Sequence, residues 1–358
     1  MKLTQRQSSG VGPRRPSADR TVQSVYVQNH LMFAVMHGLS PEALCASAGF
    51  SMTDVVDRDR QIPYAWAHLV QAEVVRQLQH VAVGIESGQL VTFEMLGYLG
   101  QALRHCETGL AMLELYVRSV RLLDSAYRAR PPAIKRSATA IETVWPVLSP
   151  DLPECAEADF VAAAKLLRLR MPALAFHEVR FGHDRDPPTK RRLADVFRCP
   201  VRFSCSEHAL VFERRAMESV LPDANALTRF HCEARVDRML SDLADPTVVS
   251  VTRAIEGSLC LGDLSQHHVA SRLGTTPRSL QRALKECGAS YKDLLLETRR
   301  RRAAELLVDP SLAVYEIAFA VGYEDVTAFN RAFRKWYGTS PRAYRQTLAK
   351  PCGRSRLT

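Results

Sequence analysis

Two stretches near the C-terminal end of this 358-residue chain repeat one design, and they limit the fold more than anything else in it. HVASRLGTTPRSLQRALKECG runs from His268 to Gly288, and EIAFAVGYEDVTAFNRAFRKWYG runs from Glu316 to Gly338. Each reads as a short apolar helix ending at a glycine (Gly274, Gly322), a polar turn, and a longer amphipathic helix. Glycine adopts the positive φ that a tight bend between two helices needs, so each stretch has the form of a helix-turn-helix. Leu280 and Leu284 in one unit, and Phe329 and Phe333 in the other, are spaced i, i+4 and place an apolar stripe against the unit's first helix. The opposite faces offer Arg278, Ser279, Gln281 and Arg282, and Thr327, Asn330, Arg331 and Arg334. Arginine, glutamine and asparagine are the side chains that pair bidentately with guanine or adenine edges in a major groove. Aligned on Leu280 and Phe329, the two units bring Arg282 and Arg331 to the same position, which a chance helical repeat does not require.

The segment FNRAFRKWYGTSPRAYR, Phe329 to Arg345, resembles the signature that closes the DNA-binding domain of AraC/XylS-type transcription regulators. RSLQRALKECGASYKDLLLETRRRRAAELLVDPSLAVYEIAFAVGYED resembles the same family through both units, so the likeness covers about the last hundred residues. It implies that Arg278, Ser279, Gln281 and Arg282 belong to a first recognition helix, and Val326, Thr327, Asn330 and Arg331 to a second. Val326 is apolar where several relatives carry a polar reader, which points to a thymine methyl or to no contact. More weakly, Ser24 to Leu240 resembles the effector-sensing domain of a subgroup that includes regulators of ornithine utilisation and of virulence. The Ile62-Pro63 break, a long helix after Gly109, and PVRFSCSEHALVFERRAMESVLPDAN from Pro200 to Asn225 carry that likeness. This half lacks the double-strand rhythm of the cupin-like sensor in the arabinose regulator. The resemblance implies an activator that binds double-stranded promoter or operator DNA, recruits RNA polymerase, answers a small-molecule effector and works as a homodimer.

Charge is distributed to match. Residues 251–358 hold 18 basic and 10 acidic side chains and residues 1–20 hold 5 and 1, while residues 21–250 hold 25 and 27. A basic module joined to a near-neutral one fits a polyanion-binding part and a separate sensing part. No run of about 18 apolar residues is present to span a membrane. The N-terminus lacks the apolar core of a secretion signal. Nine cysteines, scattered and without a Cys-x-x-Cys pair, suit a reducing cytoplasm rather than a disulfide framework.

The expected fold class is α+β: a mixed sensor and dimerisation domain over residues 21–243, then an all-α DNA-binding domain over 244–350. Its helix-turn-helix units are expected at about 265–288 and 314–338, and residues 1–20 and 351–358 read as tails. Helices are expected over Tyr64–His80, Thr92–Leu103, Thr108–Tyr127 with Thr108 as N-cap, Asp159–Leu169, Asn225–Leu243 and Thr247–Leu259. Strands are expected over Thr139–Trp145, Ala173–Phe181, Val201–Ser204 and Ala209–Glu213. The apolar side of Asn225–Leu243 is the candidate surface for pairing two chains.

Chemical motifs are sparse. There is no Gly-x-Ser-x-Gly elbow, phosphate loop, Gly-x-Gly-x-x-Gly or His-Glu-x-x-His. No catalytic residue, metal ligand set or cofactor is assigned. His183-Asp184-Arg185-Asp186, before Pro187-Pro188, reads as a polar loop. Cys199 and Cys205 read as buried thiols, with redox pairing as the other possibility. The competing reading is an N-terminal enzyme, or a redox- or metal-sensing domain, fused to a DNA-binding module. Four consecutive arginines, Arg299 to Arg302, circle the helix between the two units. One or two of them, Arg300 first, are expected to reach phosphate, the rest pairing with residues such as Glu297 and Glu305.

Overall fold

A computed structural model describes residues 20–243, 245–259 and 263–349. The expected tails fall outside these residues except for Arg20, which is pinned rather than loose: its guanidinium meets both carboxylate oxygens of Asp124, at 3.0 and 2.5 Å.

The first layer is helical. A short strand β1 (Thr21–Gln23) leads into α1 (Val25–Met36) and α2 (Pro41–Ser47), and β2 (Gln61–Pro63) leads into α3 (Tyr64–Gln77) and α4 (Val83–Leu90). Ile62-Pro63, read as a break, pairs as a strand, with Val22 opposite Ile62. Proline is tolerated there because it ends its strand, where no ladder donor is needed. Val27, Phe33, Val55, Ile62, Val70 and Val74 close this layer's core, each at most 2% exposed.

The second layer begins with α5 (Gly97–Arg104) and α6 (Gly109–Leu123), where the Thr108 side chain accepts the Ala111 N–H at 3.0 Å. After β3 (Ala133–Arg136) and β4 (Ala140–Trp145) come α7 (Glu154–Arg170), β5 (Phe176–Arg180), α8 (Pro187–Phe197), β6 (Val201–Arg202), β7 (His208–Glu213), α9 (Arg214–Glu218) and α10 (Ala226–Asp242). The strands form one sheet in the order β3-β4-β7-β5-β6, antiparallel except for β5 with β6. A parallel pair needs a crossover, and α8 supplies it. Sequence reading missed α8 because Pro187-Pro188 signals a loop. Here the two prolines occupy the first turn, where their missing N–H groups would be unsatisfied anyway, and Asp186 caps the Thr189 N–H at 2.9 Å. His183 and Arg185 turn back onto α7: His183 Nε2 lies 3.2 Å from Glu157, and Arg185 pairs with Glu154 at 2.7 Å. Cys199 and Cys205, expected as buried thiols, are free and only half-buried, each directed at a backbone carbonyl.

The last part is all helix: α11 (Pro246–Glu256), α12 (Gln266–Arg272), α13 (Pro277–Glu286), α14 (Tyr291–Leu307), α15 (Val314–Ala320), α16 (Val326–Tyr337) and α17 (Pro341–Ala349). It has two small cores. One gathers Val251, Ile255, Val269, Leu280 and Leu284; the other gathers Leu307, Ile317, Phe329, Phe333 and Tyr344. Helix α10 is spent within the chain rather than left open for a partner. Val236 and Leu240 sit in the core of the sheet layer, while Ala226 and Phe230 pack on the second small core. Among the described residues no helix is long and apolar enough to cross a membrane.

Candidate nucleic-acid interface and sensor cavity

Helices α12 and α13 form the first unit. Ser265 starts α12 by accepting the His268 N–H at 3.1 Å, and Gly274 turns the chain at φ +66°. Thr276 then caps α13 by accepting the Ser279 N–H at 3.2 Å, with Pro277 in the first turn. Leu280 and Leu284 are 3% and 1% exposed, so the stripe read from the sequence seats the helix. Arg278, Gln281 and Arg282 are left exposed on the other side, and half-buried Ser279 shares a hydroxyl contact with Thr276 at 3.0 Å. The Arg282 guanidinium stands 3.9 Å from Glu286 on the same open face, an i, i+4 approach that costs little to leave.

The second unit repeats the construction with different parts. Gly322 turns at φ +76°, and the Asp325 carboxylate caps α16 through the N–H groups of Thr327 and Ala328, both at 2.9 Å. Phe329 and Phe333 are fully buried. Thr327, Arg331 and Arg334 are exposed, and Asn330 is half-buried. Val326 leans partly onto the core of its own unit, which leaves only one side of its isopropyl group outward.

Helix α14 joins the units, and none of its four arginines stands free. Arg299 donates to the carbonyls of Val321 and Gly322, at 3.2 and 2.7 Å, and so covers the C-terminal end of α15. Arg301 pairs with Glu305 at 2.9 Å and with Glu256, and Arg302 with Glu305 at 3.0 Å. Arg300 corrects the sequence reading. Its side chain is only 11% exposed and points at the N-terminal half, where it meets Glu233 at 2.7 Å, Glu297 at 2.8 Å, Asp237 at 3.4 Å and the Tyr337 hydroxyl at 3.1 Å. It is engaged by protein carboxylates and offers phosphate nothing.

That contact is one side of a larger buried network. Arg118 of α6 pairs with Asp237, with Glu297 at 2.6 Å and with Glu233 at 3.6 Å, and Arg229 pairs with Glu107 and with Glu233 at 2.5 Å. Three guanidinium groups thus face four carboxylates across α6, α10 and α14. Burial alone would raise the Glu297 carboxyl; Arg118 and Arg300 outweigh it and hold the group down at about 2. Asp237 and Glu107 are pushed up instead, by burial first, as expected where carboxylates outnumber their partners.

The N-terminal half encloses a cavity of about 180 Å³ between the helical layer and the sheet layer. Tyr26, Tyr64, Tyr116, Tyr127, Trp145 and Asp159 are among its walls, with Arg20 and Asp124 at one side. Sequence reading found neither the network nor the cavity. The available signal was a charged residue inside an apolar helical run, as with Arg118 in α6 and Asp159 in α7.

Comparison with known proteins agrees with this arrangement. A family model described as the arabinose-binding domain of AraC transcription regulators, N-terminal, matches residues 38–221, and a helix-turn-helix domain model matches residues 269–347. The chain is 29% identical over 278 residues to the ornithine utilization regulator of Pseudomonas aeruginosa, covering 74% of this chain and 78% of that protein. It is 29% identical over 204 residues to the HTH-type transcriptional regulator VirS of Mycobacterium tuberculosis, covering 53% of this chain and 56% of that one. Among solved structures, the transcriptional regulator CdpR from Pseudomonas aeruginosa aligns over 90% of this chain and 98% of its own, at 21% identity and a TM-score of 0.43.

Proposed function

The chain belongs to the AraC family of transcription regulators, and on that footing we propose that α13 and α16 are its two DNA-reading helices. It is a regulator with an N-terminal ligand-binding domain and a helix-turn-helix DNA-binding domain. The reading residues are Arg278, Ser279, Gln281 and Arg282 on α13, with Thr327, Asn330, Arg331 and Arg334 on α16 and Val326 at the edge of that face. The boundary between the two domains falls just after α10.

One observation carries the proposal. Two polar helix faces, each seated by a buried apolar stripe, stand on either side of the single 17-residue helix α14. At 1.5 Å per residue that helix is ~25 Å long. With its flanking turns it suits readers set about one turn of DNA apart, ~34 Å. One chain then contacts two successive major grooves on one face of promoter DNA, with a different sequence in each. A second chain on a neighbouring site raises affinity through effective concentration. The protein acts in the cytoplasm as an activator that recruits RNA polymerase, and a small molecule held in the N-terminal cavity sets its state. DNase footprinting of the full chain, on DNA selected from a random library, tests the reading. Protection of two adjacent major grooves per bound chain is expected; protection of one groove overturns it.

A further inference from the structure

The cavity in the N-terminal half concentrates unmet polar groups. Among the described residues, Asp159 makes no hydrogen bond or ion pair, and neither do the hydroxyls of Tyr26, Tyr116 and Tyr127; all four line this cavity. Three more wall residues carry buried polar atoms without a partner: Gln71 Nε2, Thr143 Oγ1 and Trp145 Nε1, on side chains 3%, 0% and 7% exposed. Folded proteins pair nearly all buried polar groups, so Asp159 and three phenols left unpartnered around one space point to a ligand that meets them, with the Gln71, Thr143 and Trp145 atoms sealed in the wall behind.

Charge selects the kind of ligand. The arginine in the wall, Arg20, is committed to Asp124 through two hydrogen bonds. Burial lowers His30 and His208 to about 4, so both are neutral near pH 7. His68 has a carboxylate of its own, Asp151 at 3.3 Å. Asp159 is therefore the carboxylate left over, and an anion placed here would find no free cation among these residues. Aromatic rings surround the position. The phenols of Tyr26, Tyr116 and Tyr127 are raised by burial first and by the Asp159 charge next. Tyr116 and Tyr127 both pack on Trp145, with ring centres 5.7 and 5.6 Å apart. A carboxylate among aromatic rings is the environment that favours an organic ammonium group.

We infer that the cavity binds a small organic cation, an amine with an apolar body about the size of one ring, its ammonium set against Asp159 and the rings of Tyr26, Tyr116, Tyr127 and Trp145. The size follows from the volume of about 180 Å³, since a cavity of ~150 Å³ accepts benzene. The inference rests on the reading that this half senses a small molecule, and it names that molecule's class.

Three isosteric probes test it on the full chain by titration calorimetry at about pH 8, where carboxylates ionise: benzylamine, benzyl alcohol and benzoate. Benzylamine is expected to bind at least about tenfold more tightly than the other two. Asp159→Asn should weaken benzylamine by about tenfold and leave benzyl alcohol unchanged. Tyr127→Leu should weaken benzylamine more than benzyl alcohol, since the neutral probe has no charge to lose against the ring. If Asp159→Asn does not fold, the ranking on the unmodified chain still decides. Benzyl alcohol or benzoate binding as tightly as benzylamine overturns the cation and leaves the sensor reading standing. If none of the three binds at about 10 mM, the one-ring cation falls, while the sensor reading, which fixes no ligand class, stands.

Discussion

Arg282 and Arg300 carry the same charge and stand in opposite surroundings. Arg282 is exposed on a helix face, with Glu286 its one charged neighbour among the described residues. Arg282→Ala should weaken DNA binding by about 1–3 kcal/mol and relax preference at one base pair. A binding matrix of single-base variants reads this directly, and a uniform loss would reassign the residue to phosphate. Arg300 is held by Glu233, Glu297 and Asp237. Its removal should leave the salt dependence of DNA binding unchanged and lower folding stability by about 3–5 kcal/mol, because it strands buried carboxylates. Denaturant midpoints, with affinities at several salt concentrations, separate the two effects. Asp159 gives a pH prediction. Burial, with a smaller push from Asp124, moves its pKa from 3.8 up to about 7, and Arg20 opposes the shift. The unfolded chain gives up this proton first as pH rises, so the carboxyl destabilises the fold progressively from about pH 4 to about pH 7. Asp159→Asn should match the unmodified chain near pH 4 and be about 4 kcal/mol more stable at pH 8, as thermal melts across that window would show.

Among the elements, those whose pattern is local were legible in the sequence. The α13 and α16 stripes, the Thr108 cap and strand β4 follow from spacing within a few residues. Strand β3 was missed because Ala133–Arg136 lies at the sheet edge with three of its four residues exposed, so it carries no apolar alternation. The Arg300 placement failed for a different reason: its partners Glu233 and Asp237 are 67 and 63 residues away, and no local rule reaches them. The cavity is equally non-local, since its walls come from both layers. The turn between α15 and α16 offers an element-scale test. Gly322 has φ +76°, and a Cβ there would run into Leu264 Cδ1. Gly322→Ala should cost about 1–2 kcal/mol and reduce DNA affinity through the second unit, while a similar change at Gly274, whose Cβ would meet open space, should cost only the φ strain. Equal losses at the two glycines would show that the Leu264 contact does not matter.

In the whole molecule, the N-terminal half and the helix-turn-helix part share one polar interior. Arg118 of α6 reaches Glu297 of α14, and the α10 carboxylates lie between them. The full chain should therefore unfold in one cooperative transition near neutral pH. Arg118→Met should split or broaden that transition, which calorimetry would detect; an unchanged single transition would mean that apolar packing alone joins the halves.

Helix α10 has a consequence for anyone rebuilding this protein. Swapping sensors between regulators presumes a seam where the chain can be cut and rejoined. Here the helix before the DNA-reading part is a wall of both rooms: Val236 and Leu240 belong to one core, and Ala226 and Phe230 to the other. A chimera spliced after α10 would graft a foreign wall onto α14 and α16, leaving Arg300 with Glu297 but without Glu233 and Asp237. A working graft must carry Glu233 and Asp237 along with the reading helices, so the transferable part begins before α10, at about Asn225, rather than where the first helix-turn-helix starts.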